Sequence, residues 1–314
     1  MNLANLLEKS LDSTLLNLIR RIADDASEFG FPMYLVGGFV RDLLLERKIK
    51  DLDLTLEGDA IELGRALVKK HGGKLTAHKT FDTATWIFNT PISGINFLDL
   101  ISARKEIYSH PGALPTVTRS TIDDDLRRRD FTINAMAIRL DGDRSGELHD
   151  PMHGQSDLEN KTIRVLHEKS FVDDPTRIFR AIRSEGRNGF RLEPDTLALI
   201  NLESLAVLKT LSGERLRHEL DLIFEEKEYP DVFGRLSKLG VLNIFDAPGY
   251  NESYASLSDK LPEAGLEVPC DRVVLGYLLW LTDTDSATIT RLSNRLSFTA
   301  ELTEALESAS TLKR

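Results

Sequence analysis

The chain has 314 residues, 41% of them hydrophobic, and a formal net charge of −10. That length suits two or three compact units, and its acidity argues against indiscriminate polyanion binding. A single cysteine, Cys270, excludes an internal disulfide and a multi-cysteine zinc site; it reads as a packing residue, and a reducing compartment is expected.

The segment before Gly30 is predicted helical, with Leu15, Leu16, Leu18, Ile19 and Ile22 on one face. "MYLVGG" reads as a buried strand entering a turn, and "VRDLLLERK" as a short helix. "DLDLTLEG" alternates strictly, which is the strand period. "DAIELGRALVKKHG" is helical; "TATWIFNT" and "GINFLDLISAR" are strands; "RKEIYSHPGALPTVTRSTIDDD" reads as a loop, from its glycine and two prolines. "LRRRDFTINAMAIRL" runs from helix or turn into an apolar strand, and "GELHDPMHGQSDLENKTIRVL" holds turns and a short strand. After Phe171 the strand signals fade, and helices follow one another to the end. "FDAPGYNESYASLSDKLPEAGLE" is the expected loop-rich junction. The fold class expected is α+β: a mixed-sheet head over 1–165, a helical neck over 166–245 and a helical body over 246–314. The N-terminus lacks a signal-peptide pattern, and no apolar run reaches the roughly 18 residues of a membrane span. A cytoplasmic protein with no membrane partner is expected.

Charge is unevenly spread. Residues 101–191 carry 16 basic and 15 acidic side chains, against 24 and 35 elsewhere. Thirteen of those 16 are arginine, the side chain suited to forked contacts with phosphates and bases.

Residues two apart on a strand face the same way, so Asp51 and Asp53 share a face while Leu52 and Leu54 face the core. Two carboxylates that close repel unless a cation sits between them, and hard oxygen ligands suit Mg²⁺. A bare Asp-x-Asp is also often a solvated strand face. Its neighbours strengthen the metal reading. Gly37 and Gly38 let backbone amides approach a phosphate at a helix start, and Arg41, one turn on, can reach the same anion. Asp99 interrupts an apolar strand, which is costly unless it has a partner. Three acids around two metals suit in-line phosphoryl transfer.

"GGFVRDLLLERKIKDLDLT" resembles the signature motif of the class II tRNA nucleotidyltransferase and bacterial poly(A) polymerase family, in the polymerase-β-like nucleotidyltransferase superfamily. "DLRRRDFTINAMAI", "DPMHGQSDLENKTIRVL" and "DDPTRIFRAIR" resemble its next three motifs in order. The resemblance implies that Asp51 and Asp53 bind Mg²⁺, in a two-ion mechanism, with Asp99 as a third acid. It implies that Gly37, Gly38 and Arg41 hold triphosphate, and that Arg128, Arg129 and Asp130 contact ribose and phosphates. The substrates implied are CTP, ATP and the 3′ end of tRNA, with no obligate protein partner. Full CCA addition, CC-only, A-only and poly(A) addition remain open, as does an inactive RNA-binding descendant.

The fourth motif allows a physical account of nucleotide choice. Cytosine and adenine each present an exocyclic amine beside a ring-nitrogen acceptor, whereas uracil and guanine present a carbonyl beside an N–H. Asp174 accepts from the amine and Arg177, one turn on, donates to the ring nitrogen. A mismatched base leaves both unpaired, at about 1–3 kcal/mol each. Asp174 is also suited to be a helix N-cap. On a helical wheel Arg177, Arg180, Arg183 and Arg187 lie within about 120°, opposite Ile178, Phe179, Ala181 and Ile182. The helix is thus expected to offer a cationic face, with Arg180 at the nucleotide and Arg183 and Arg187 at RNA. Two departures from the family pattern stand out: Asp173 replaces a usual Glu, and Gly186, beyond Ser184, is expected to bend or end the helix at a cost of about 1 kcal/mol. The loop between the first two motifs is mobile in the family, which makes Tyr108 and His110 candidates for switching. His149–Asp150 lacks partner histidines for a metal-hydrolase site. Arg215, Arg217, Arg291 and Arg295 are further candidates for RNA phosphates. Relatives often carry more C-terminal helices, which leaves the manner of tRNA gripping open.

Overall fold

The computed structural model describes residues 1–49, 52–247 and 271–312. Residues 248–267 of the junction expected over 245–267, together with Cys270 and Asp51, lie outside the described residues. The chain divides into two compact units: Met1–Ser109 with Leu114–Leu166, and His110–Ala113 with His167–Arg314.

In the first unit, helices α1 (Ala4–Ser10) and α2 (Ser13–Glu28) precede strand β1 (Met33–Val36). Asp12 caps α2 through the amides of Thr14 and Leu15. After β1 come α3 (Gly38–Leu44), β2 (Asp53–Leu56), α4 (Ala60–His71), β3 (Lys74–His78), β4 (Thr83–Ile92) and β5 (Ile95–Ser102). Then follow β6 (Arg104–Ile107), β7 (Thr116–Arg119), α5 (Ile122–Arg127), β8 (Ala137–Arg139), β9 (Leu148–His149) and α6 (Gly154–Glu159). The main sheet has the order β3-β4-β5-β2-β1-β8-β9. β2 and β5 are parallel, and the other neighbours are antiparallel.

β1 is buried along its length, as the unbroken "MYLV" run predicts. Leu54, Leu56, Leu98 and Leu100 turn one way and are buried. On the other side Tyr34, Val36 and Ala137 pack with Ile122 and Leu126 of α5. The segment read as a loop between the first two motifs is instead partly sheet: β6 and β7 form an antiparallel ladder from Arg104↔Arg119 to Ile107↔Thr116. The prolines fall between its strands, where a missing N–H does no harm.

The second unit contains α7 (Ser170–Asp173), α8 (Thr176–Asn188), α9 (Pro194–Ala198), α10 (Leu202–Thr210), α11 (Gly213–Phe224) and α12 (Tyr229–Lys238). Beyond the undescribed segment lie α13 (Arg272–Leu281), α14 (Ser286–Leu296) and α15 (Ala300–Leu312). Its core is rich in aromatic edge-to-face pairs, with Phe224 against Tyr277 at 4.8 Å and Tyr277 against Phe298 at 4.7 Å. α8 does not end early. It runs through Gly186 to a left-handed C-cap at Gly189. The glycine has a packing reason: a Cβ there would lie 2.5 Å from Cγ2 of Val232 on α12.

Candidate active site

The first cluster gathers at one end of the sheet. β1 ends at Val36 and its antiparallel neighbour β2 begins at Asp53, so the glycine turn leaves the sheet beside that acid. Asp53 and Asp99 are register partners on parallel strands, so their side chains share a face. Both are half-buried. Thr85, opposite Asp99 on β4, donates its hydroxyl to Asp99 Oδ1 at 2.5 Å. Two hard oxygen donors side by side can hold a divalent cation. Among the described residues no group of three or more His, Cys, Asp or Glu is placed to hold a metal; Asp51, the other predicted ligand, is outside them.

Gly37 has φ +66° and ψ −129°, a conformation that L residues avoid. Its N–H donates to the Met136 carbonyl at 3.2 Å, so the amides at the open end of α3 begin with Gly38 rather than Gly37. A Cβ on Gly37 would fall 2.5 Å from Nη1 of Arg129, which brings the second motif against the first. Arg41 is held twice over: Nε and Nη2 on the two Asp42 oxygens, both at 2.9 Å, and Nη1 on Asn134 Oδ1 at 2.8 Å. Asn134 in turn donates to Asp130 Oδ1 at 3.0 Å. Gly37, Arg41, Asn134, Asp130 and Arg129 therefore form one connected set. Asn134 was not singled out from the sequence, although it sits inside "RRDFTIN".

Arg128 and Arg129 share a buried counter-ion that the sequence reading missed. Asp125 on α5 accepts from Arg128 Nη2 at 2.6 Å and Arg129 Nη2 at 2.9 Å. Burial opposes its ionisation, but Arg129 and Arg128 outweigh that and hold its carboxyl below the ordinary range. Arg128 also donates to Glu106 of β6 at 3.0 Å, and Glu106 accepts from the Tyr108 hydroxyl at 3.0 Å. These arginines are thus fixed by carboxylates of the same unit rather than left as open cations.

The third motif braces this turn. Asp150 accepts from the amides of Gly154 and Gln155 at 2.7 and 2.9 Å, which starts α6. Asp157 accepts from the Thr132 hydroxyl at 2.7 Å and from Arg164 Nε at 3.0 Å. His149 lies 2.6 Å from Asp123. His149 and Asp150 are thus engaged by Asp123 and by the start of α6.

A second cluster belongs to the second unit. Asp174 Oδ1 accepts from the Thr176 hydroxyl at 2.7 Å and from Arg215 Nη2 at 3.1 Å. Its Oδ2 lies 3.9 Å from Arg177 Nε. Arg177 is not on an open cationic face: it is 3% exposed and donates to Ser170 Oγ at 2.8 Å. Burial and neighbouring Arg177 hold His167 below the usual imidazole range, so it adds no charge here at neutral pH. The rest of the expected stripe also turns inward or pairs. Arg180 is half-buried, Arg183 sits 4.0 Å from buried Glu219, and exposed Arg187 pairs with Glu226. For Arg183 the reason is α11, whose Glu219 packs where the wheel suggested solvent.

The other arginines proposed for RNA are engaged as well. Arg291 donates to the carbonyls of Phe245 and Asp246. Arg295 donates to those of Lys209 and Leu211 at 2.9 and 2.8 Å. Arg217 donates to the Ser297 carbonyl. They cap helix ends in the helical unit.

Residues 33–164 match the poly A polymerase head domain, and residues 189–251 match the probable RNA and SrmB-binding site of polymerase A. The Thermotoga maritima CCA-adding enzyme, solved in complex with tRNA, is 35% identical and superposes with a TM-score of 0.84. The alignment covers 99% of this chain and 73% of that one. The chain belongs to the class II CCA-adding family. Two further members are A-adding tRNA nucleotidyltransferases. That of Halalkalibacterium halodurans is 41% identical over 83% of this chain, and that of Geobacter sulfurreducens 42% identical over 76%. This family member spans 61% and 27% of their respective lengths. No helix among its described residues is long and apolar enough to cross a membrane.

Proposed function

We propose that this family member is a template-independent nucleotidyltransferase that adds C, A or both, from CTP and ATP, to the 3′ end of tRNA and releases pyrophosphate. The observation that carries the reading is the juxtaposition of Asp174, just before α8, with Arg177 in its first turn, where Oδ2 lies 3.9 Å from Nε, an acceptor beside a donor. That pairing complements the amine and ring nitrogen shared by cytosine and adenine. The neck is the expected seat of this base recognition.

Asp53 and Asp99, with Asp51, would hold Mg²⁺. When bound, the metal would acidify the attacking hydroxyl and neutralise charge on the phosphoryl group. The chain's own residues orient the nucleotide. In this reading the amides opening α3, with Arg41 and Arg129, would bind the triphosphate, and Asp130, which accepts from Asn134, would take the ribose hydroxyl. Thr85 fixes the rotamer of Asp99. A cytoplasmic setting fits one cysteine and tRNA as acceptor.

Addition of A alone is the second reading, favoured by the 41% and 42% identity to A-adding enzymes. One assay tests both. The protein is given tRNAs ending before the tail, after C and after CC, with each nucleotide triphosphate separately. Incorporation of C or A but not U or G is expected; product only on the CC-ended tRNA with ATP selects the second reading. Asp53→Ala should abolish incorporation while the protein stays folded. Turnover that survives it, or equal use of all four nucleotides, refutes the proposal.

A further inference from the structure

We infer that Arg215 is a positioning residue for nucleotide choice, orienting the Asp174 carboxylate against a backbone anchor; this rests on the base-reading role proposed above. Arg215 lies in the first turn of α11, where the helix dipole disfavours a cation. Its position is explained by what the two ends of its fork hold. Nη1 donates to the Gly112 carbonyl at 2.6 Å, and Nη2 donates to Asp174 Oδ1 at 3.1 Å. With the Thr176 hydroxyl at 2.7 Å, Oδ1 is committed. Oδ2 is left on the Arg177 side, 3.9 Å from Nε and outside hydrogen-bond reach. A base amine needs an acceptor at a fixed angle, and a carboxylate with one oxygen clamped supplies it.

The anchor is itself built. The Gly112 N–H donates to the carbonyls of Val172 and Asp173 at 3.1 and 3.3 Å, just before Asp174. Gly112 has φ +73°, and a Cβ there would meet Leu211 and Val207 at 3.0 and 3.1 Å. The Gly112 carbonyl is therefore fixed relative to the turn that carries Asp174. Arg215 measures the carboxylate against that carbonyl through a planar fork that lysine cannot reproduce.

The test compares Arg215→Ala and Arg215→Lys with the parent. The readout is the ratio of kcat/KM for ATP over GTP, or CTP over UTP, beside Tm. Arg215→Ala should lower the ratio about tenfold, the worth of one hydrogen bond to a charged group. Arg215→Lys keeps the charge and stem and should lower it about threefold at parental Tm, since one ammonium cannot hold both acceptors in the fork geometry. If Arg215→Ala fails to fold, Arg215→Lys decides alone. An unchanged ratio in the folded variants, with activity falling only as Tm falls, makes Arg215 a structural brace and overturns the inference while the base-reading proposal stands. A parent that shows no preference between these nucleotides overturns both.

Discussion

Replacing Gly37 with alanine tests the glycine turn at its most constrained point. Its φ of +66° and ψ of −129° lie outside the left-handed well that other residues tolerate, at a strain of about 1–3 kcal/mol. The new Cβ would also lie 2.5 Å from Arg129 Nη1. That atom ends a flexible side chain and can retreat, so the clash itself costs little. Its retreat, however, moves the guanidinium that Asp125 holds at 2.9 Å. A total near 2 kcal/mol should lower Tm by about 4–8 °C for a unit of this size. The catalytic effect should be larger than the thermal one, because both the first amides of α3 and Arg129 shift where triphosphate is expected. We expect kcat/KM for the preferred nucleotide to fall at least about tenfold, the equivalent of ~1.4 kcal/mol. Gly30→Ala is the control: its φ is +73°, but no atom lies within 4 Å of the added Cβ. It should cost some stability and leave kcat/KM alone. A Gly37→Ala protein with parental Tm and parental kcat/KM would refute the role given to the turn.

Gly186→Ala should lower Tm by a few degrees, because overpacking against Val232 at 2.5 Å costs about 1–3 kcal/mol, more than the ~1 kcal/mol of helix propensity gained; a rise in Tm would show that α12 yields freely. Asp125 is held below its ordinary range by Arg129 and Arg128 despite burial. A depressed carboxyl contributes stability above its unfolded value near ~3.9 and loses it as pH falls through the folded value. Urea midpoints should therefore drop below about pH 4 in the parent, and Asp125→Asn should flatten that drop while losing ~3 kcal/mol near neutral pH. An equally steep acid limb in the variant would place the sensitive group elsewhere.

The parts that could be read from the sequence were those whose signal is local. Strict alternation in "DLDLTLEG" marks a strand, and it shows that Asp53 opposes the leucines before any contact is known. Asp99 stands out because an acid in an apolar run needs a reason, and the sheet register supplies Asp53 beside it. The fourth motif's Asp174 and Arg177 were legible as neighbours three residues apart at a helix start, though not the burial of Arg177. That burial depends on Ser170 and on packing against later helices, which no periodicity within α8 encodes. The β6–β7 ladder was hidden for another reason. Its strands are four residues each, and the eight residues between them carry the turn chemistry that dominated the reading.

Arginine was the residue type read least well, and the cause is general. A guanidinium in sequence announces that it needs acceptors, not which ones. In "DDDLRRRD" two acids, Asp124 and Asp125, lie at helical spacing from Arg128 or Arg129, and only the fold shows that Asp125 is the buried one. For Arg291 and Arg295 the acceptors are backbone carbonyls, which every residue carries and which leave no trace in sequence. A surface arginine that caps a helix end and one that grips a phosphate have the same local pattern. The difference matters for RNA binding, because a guanidinium already spanning two carbonyls must surrender them before it can take a phosphate, whereas its neutralising charge still acts at a distance. The salt dependence of tRNA affinity should therefore owe little to close phosphate contacts by Arg291 and Arg295: alanine at both should change the slope of log Kd against log salt by less than about one, the value expected for losing a single direct phosphate contact, and a loss near two would mean that both let go of their carbonyls when RNA binds.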